Sequence, residues 1–400
     1  MKPAARCGHY TAAAAAVCAA ALLLGGIDYQ ARRLIAERAG ELAPLNLPEA
    51  AREVALQHQI LQQPDILPIY GSSELVTDQP TRPALFFQAY PRGFTVFPIG
   101  SPGDRCLIIL QELAALADVI RGRRLVIFLS PQWFAPPPNA HQDHSAHRQF
   151  ASRFSPLEAD ATVLGNALSS GLQRDIAGRL LDYGSVLRVR SPVLDFACTQ
   201  MRSPAWTRVA VLGLLAPLGA AEDLAWRLQD RWQTLALIRG RSGNEGEVPA
   251  TGAPMETLDW PGLAGHLVPP PEETDAAAAN AGPASARDSS AAFLRRMNAA
   301  PEWIDLALLL RTIRELRVDA LLIGQPMNGR LSEQSGVSAQ ARRVYYERVQ
   351  RLAAASGTPL RDFSGHEDEP EFFADRVHPS ARAWLYYDRT LDEFYHHRKR

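Results

Sequence analysis

Two adjacent serines, Ser72 and Ser73, follow the apolar residues Ile66, Leu67, Ile69 and Tyr70 across Gly71 in ILPIYGSSELVTD. Near the carboxyl end, FFADRVHPS sets Asp375 and His378 three residues apart. A serine hydroxyl becomes a useful nucleophile when a histidine takes its proton, and an aspartate behind that histidine orients the ring and stabilises its charged form. Each motif alone has a simpler account. Glycine and serine are ordinary turn residues, and Asp-x-x-His-Pro also describes a capped helix start. Their order along the chain links them: a serine at a strand end, with a late Asp-His dyad. Ser73 is the expected nucleophile, with Ser72 kept as the alternative. Acyl transfer further needs donors for the developing oxyanion. The Ser73 and Gly103 N–H groups and the Gln132 side chain are the candidates, because each follows a strand.

The elements that would position these residues are legible as alternating runs. After the strand at Ile66 comes a second in GFTVFPIGSPG and a third in RLVIFLSPQWF, with the helical pattern RCLIILQELAALADVIRG between them and Gly122 as its stop. VDALLIGQPMNG and TPLRDFS supply a fourth and fifth strand, separated by AQARRVYYERVQRLAAASG. Continuous apolar strands alternating with helices predict a doubly wound parallel α/β sheet with helices on both faces. HPSARAWLYYDRTLDEFY reads as the last helix, with Pro379 in its first turn. The expected divisions are a short segment 1–9, an apolar anchor 10–27, a helical stalk 28–63, α/β segments 64–134 and 291–400, and between them a helical insertion 135–240 and a low-complexity stretch 241–290. The last stretch is poor in large apolar residues and is expected to be disordered.

The run from Thr11 to Ile27 carries no charge and no polar face, which argues for an uncleaved transmembrane signal anchor over a soluble helix or a cleaved signal peptide. Lys2 and Arg6 precede it, so the bulk of the chain is expected on the extracytoplasmic side of the membrane. With 400 residues and a net charge of −1, nothing in the composition predicts nucleic-acid binding. The four cysteines are too few for a disulfide scaffold, and whether Cys106 and Cys198 pair is open. His141, His144 and His147 are spaced too widely for one tight metal site and read as a solvated loop; no metal or cofactor is expected. Trp133 and Phe134 read as strand-end cover, and Arg92, Arg105 and Arg330 as surface residues with a lesser prospect of meeting an anionic substrate.

Taken together, YGSSEL, FPIGSPG, VIFLSPQWF, LLIGQPMNG, LRDFSG and the closing block FFADRVHPSARAWLYYDRTLDEFY resemble the SGNH (GDSL-like) hydrolase superfamily, and within it the DltD family of D-alanyl transfer to teichoic acids. The resemblance implies Ser73 as nucleophile, His378 as general base and Asp375 as its orienting acid. It implies action on D-alanyl esters or thioesters at the cell envelope, by acyl transfer or by hydrolysis. Implied partners are a membrane O-acyltransferase, a D-alanyl carrier protein and an envelope polymer, either a teichoic acid or a lipopolysaccharide-like acceptor. A noncatalytic scaffold that docks the acyltransferase and the carrier protein is the competing function.

Overall fold

Four short apolar runs and the edge segment Leu360–Asp362 form one parallel sheet in the computed structural model, which describes residues 4–44, 54–77, 79–135, 142–241, 255–268 and 289–396. The strands are β1 (Ile66–Gly71), β2 (Thr95–Gly100), β3 (Arg124–Leu129), β4 (Asp319–Gly324) and β5 (Leu360–Asp362). Their spatial order is β2-β1-β3-β4-β5, and every pairing is parallel. The chain therefore steps outward from β1 to β2, then crosses back to build β3, β4 and β5 on the other side of β1. In such sheets the reversal opens a crevice beyond the carboxyl ends of the two strands that flank it, here β1 and β3.

Alternation along each strand divides the interior into two cores, because successive side chains leave a strand on opposite faces. Ile66 and Tyr70 of β1, Leu125, Ile127 and Leu129 of β3, and Leu322 of β4 enter one core. Leu67, Ile69, Val126, Phe128, Leu321 and Ile323 enter the other. Burial on both faces explains why these strands read as unbroken apolar runs.

Among the helices in the described residues, those that bear on the sheet, the serine turn and the amino-terminal segment include α1 (Ala4–Leu42), α2 (Cys106–Ala115), α3 (Gln142–Arg153), α4 (Ala205–Arg241), α5 (Glu302–Glu315), α6 (Ala339–Ser356) and α7 (Ala381–His396). Residues of α2, α5 and α6 pack into the first core, and Trp384, Tyr387 and Leu391 of α7 fill the second. Among the described residues, two helices are long and apolar enough to cross a membrane, Tyr10–Arg38 within α1 and Ala205–Gly240 within α4. The segments expected as anchor and stalk form one continuous helix as far as Leu42.

Three local expectations are revised. His144 and His147 lie in helix α3, not in a loop, whereas His141 falls outside the described residues. The last helix starts at Ala381, because Pro379 is taken up by a bridge to Phe373 and the Ser380 hydroxyl accepts from the Ala383 N–H. Within the stretch expected to be disordered, Trp260–Leu267 is a helix whose Trp260 stacks on Phe86 at 5.4 Å. Its Trp and Leu side chains supply the apolar area that the flanking sequence lacks; residues 242–254 and 269–288 lie outside the described residues. Cys106 and Cys198 are separate buried thiols, not a disulfide.

Candidate active site

The serine turn depends on two glycines. Gly71 and Gly100 end β1 and β2 in register. A Cβ on Gly71 would lie 2.5 Å from Glu74 Oε1, and one on Gly100 would lie 2.8 Å from the Gly71 carbonyl oxygen. Their bare backbones let the turn fold back tightly, and Ser73–Val76 coils into a short 3-10 helix. Glu74 closes the turn from inside: its Oε1 accepts the Ser72 N–H at 2.7 Å.

This geometry gives the two serines different surroundings. The Ser72 hydroxyl is buried; it donates to the Ser101 carbonyl at 3.2 Å and accepts the Gly103 N–H at 3.2 Å. The Ser73 hydroxyl is half-buried and lies 3.0 Å from His378 Nε2.

The dyad is held in a pinched loop. The Phe373–Pro379 bridge and the bond from the Ala374 N–H to the His378 carbonyl (2.9 Å) close its base. Buried Phe372 and Phe373 anchor it in the second core. Inside the loop, Asp375 Oδ1 accepts the N–H groups of Val377 and His378, each at 2.8 Å, and Oδ2 lies 2.7 Å from His378 Nδ1. The neutral imidazole therefore carries its proton on Nδ1, donated to Asp375, and presents Nε2 as the acceptor for the Ser73 hydroxyl. Burial alone would raise the Asp375 pKa, but the bonds from the His378 ring and from both backbone donors outweigh it and bring it to about 2. The hydrogen bond to Asp375 raises the His378 pKa against the opposing effect of burial, with further support from the charges of Asp375 and Glu74.

In the sequence Glu74 reads only as a helix cap or a modifier of the dyad's pKa, yet it is fully buried beside this triad. Burial lifts its own pKa to about 7, against the lowering effects of its backbone hydrogen bonds and of His378. No sequence signal marks a carboxylate in a polar turn as one that will be buried.

The expected oxyanion donors reach the same end of the sheet in different states. Gly103 has a left-handed backbone (φ +98°), and its N–H is already engaged by Ser72. Gln132 is exposed in the short helix Pro131–Phe134 after β3. The Gly103 loop is fixed from behind: buried Asp104 accepts the Ser101 N–H at 2.6 Å and pairs with Arg153 of α3, whose Nη2 lies 3.1 Å from Oδ2. The helical insertion thus reaches the loop beside the triad, which sequence alone did not reveal.

Other candidates have structural partners. Arg92 pairs with Asp392 (2.8 Å) and Arg105 donates to Gln149 (2.6 Å), whereas Arg330 is exposed. Trp133 and Phe134 are buried, Phe134 packing 4.3 Å from the Trp303 ring. Asn328 caps the following helix by accepting the Leu331 N–H. The triad is shallow: 25% of the His378 side chain and 44% of the Asp375 side chain are exposed. A cavity of about 590 Å3 lies elsewhere, lined by residues that include Arg32, His58, Asp160 and Arg227.

A model of the DltD protein family matches residues 47–203 and 285–396. The chain belongs to the DltD family. Protein DltD of Bacillus subtilis (strain 168) is 25% identical to it over 378 residues, covering 90% of this chain and 90% of that one. Protein DltD of Staphylococcus aureus (strain NCTC 8325 / PS 47) is 23% identical over 347 residues, 84% of this chain and 82% of its own. Protein DltD of Lacticaseibacillus rhamnosus is 24% identical over 344 residues, 82% of this chain and 77% of its own. The two segments matched to the DltD model carry all five strands, both serines and the Asp375–His378 loop. The stretch between them, 204–284, contains α4 and the Trp260 helix.

Proposed function

We propose that this chain is a membrane-anchored serine acyltransferase of envelope D-alanylation, with Ser73 as the nucleophile. The observation that carries the reading is the continuous relay from Asp375 Oδ2 through the His378 ring to Ser73 Oγ, at 2.7 and 3.0 Å. Ser73 Oγ attacks the carbonyl carbon of a D-alanyl ester or thioester as its proton passes to His378 Nε2. His378 returns that proton to the departing alcohol or thiol, leaving D-alanyl-Ser73. A hydroxyl of the envelope polymer then loses its proton to His378 and attacks the acyl carbon, and Ser73 recovers its proton as the new ester leaves. Water in place of that hydroxyl makes the same site an esterase. The oxyanion falls to the Ser73 N–H, the Gly103 N–H released from Ser72, and the Gln132 amide.

A shallow triad suits an extended polymer, which needs no deep pocket, and leaves exclusion of water to the acceptor or to a partner. The partners are a membrane O-acyltransferase and a D-alanyl carrier protein. The body faces the extracytoplasmic side, and α1 is the anchor.

Mass spectrometry of the full chain incubated with a D-alanyl thioester tests this. A D-alanyl adduct on Ser73, absent in Ser73→Ala and slowed by orders of magnitude in Asp375→Asn, is the expected result. An adduct on Ser72 would move the nucleophile. No adduct, together with envelope D-alanylation that persists in Ser73→Ala, would favour the noncatalytic scaffold.

A further inference from the structure

Helix α4 presents its apolar residues outward. Between Trp206 and Ala225 no exposed position carries a charge, and the large exposed side chains are Trp206, Val209, Leu214, Leu218 and Leu224. Trp206, Val209 and Leu214 are 75%, 70% and 83% exposed. The charged residues of the same stretch, Arg208, Glu222 and Asp223, sit at half-buried positions. A soluble helix places its apolar stripe on the core; this one reverses the arrangement over roughly 28 Å of its length.

Composition alone suggests a second transmembrane span, but the connections argue against one. Before α4, buried Met201 ties the chain to the body, and within it Leu235 and Ile238 are buried again. Asp230 of α4 accepts the N–H groups of Val54 and Ala55, both at 2.9 Å. Beyond it, the Met255 N–H donates to the Pro91 carbonyl at 2.8 Å. Both ends are thus held on one side, whereas a single crossing would separate them. The uncharged run between Arg208 and Glu222 is also too short to span a bilayer.

What places this face near lipid is its link to the anchor. The apolar part of α1 ends at Asp28, and Leu22 and Leu23 just before it are 78% and 66% exposed. Asp28 pairs with Arg231 of α4. Next to that pair, Trp232 is 64% exposed, and tryptophan favours the headgroup level of a bilayer.

We infer that the outward face of α4 lies in the outer surface of the same bilayer that α1 crosses, as an interfacial helix and a second membrane contact for the catalytic body. This rests on the reading of α1 as the anchor. One spanning helix lets a body swivel; a second contact along the surface restricts its tilt. Because α4 falls between the segments matched to the DltD model, the contact belongs to the part of this chain that the family model does not cover.

The test uses the full chain in phosphatidylcholine vesicles, with Cys7 and Cys18 replaced by serine and a bimane reporter on a single introduced cysteine. Leu214→Cys and Leu218→Cys report on α4, Leu23→Cys on α1, and Arg174→Cys on an exposed position of another helix. All four positions are exposed, so the replacements remove no core contact. Acyl chains brominated near the headgroup are expected to quench Leu214→Cys and Leu218→Cys at least about twofold more than Arg174→Cys, with matching protection from aqueous iodide. Lipid quenching at 214 and 218 no greater than at 174 overturns the inference. So does protection from iodide without lipid quenching, because a protein, a second copy included, would then cover the face. Leu23→Cys separates the two readings: quenching there alone leaves the anchor intact and removes the α4 contact, while its absence counts against the anchor itself.

Discussion

Replacing Glu74 by glutamine tests whether a buried carboxyl group under the serine turn is coupled to the triad. Glutamine keeps the shape and the acceptor for the Ser72 N–H but cannot ionise. The Glu74 pKa rises from 4.5 to about 7 in the folded chain, chiefly through burial, which corresponds to roughly 3 kcal/mol. Below pH 4.5 the group is protonated folded and unfolded, and its burial costs nothing extra. As pH rises from 4.5 to about 7 the unfolded chain releases the proton first, so the fold loses stability, and the loss levels off above about 7.

Urea unfolding of wild type and Glu74→Gln, followed by near-UV circular dichroism in one detergent, isolates Glu74 together with its coupling to His378, because the remaining titrations in this pH range are common to both proteins. Between pH 4 and pH 8 the stability of wild type relative to the variant is expected to fall by about 3 kcal/mol. The same substitution removes a negative charge that helps raise the His378 pKa. The acid limb of Ser73 labelling by a fluorophosphonate is therefore expected to move to lower pH in the variant, since the base must be neutral to act. Parallel stability curves, or an acid limb moved to higher pH, would refute the reasoning.

Two further outcomes test the supports of the site. Arg153→Leu strands Asp104, whose side chain is 2% exposed, and is expected to cost roughly 3–5 kcal/mol in the same unfolding assay. Adding Asp104→Asn should recover part of that loss, and no recovery would mean that the stranded charge is not the cause. Gly71→Ala puts a Cβ 2.5 Å from Glu74 Oε1 and 2.9 Å from Leu75 Cδ1, and is expected to lower stability by about 1–3 kcal/mol and to slow Ser73 labelling. A variant indistinguishable from wild type in both measurements would show that the turn does not need the bare backbone.

The sheet was legible because four of its strands are buried on both faces: four apolar runs, each ending in Gly, Pro or a polar residue, leave little other arrangement, and the half-exposed Leu360–Asp362 adds the edge. The dyad was legible for a local reason, since Asp375 and His378 are close enough for one loop to join them. Less visible was everything that depends on a distant partner. Arg153 supports the loop at Gly103 through Asp104, yet nothing near either residue in sequence announces the pair. Pro379 looked like a first-turn proline because its local preference fits that position, and the bridge to Phe373 took it instead.

Sequence by itself determined the succession of strands and helices, the apolar amino-terminal helix, and the spacing that makes an Asp-His dyad possible. Those properties reside in local periodicity and in short contacts. Tertiary structure alone decided the direction in which residues face. Ser72 and Ser73 share one local chain, but packing turns the first hydroxyl to Ser101 and Gly103 and the second to His378. The same holds for α4: a helical period fixes which residues share a face, while only the packing of the rest of the chain decides whether that face turns inward or out.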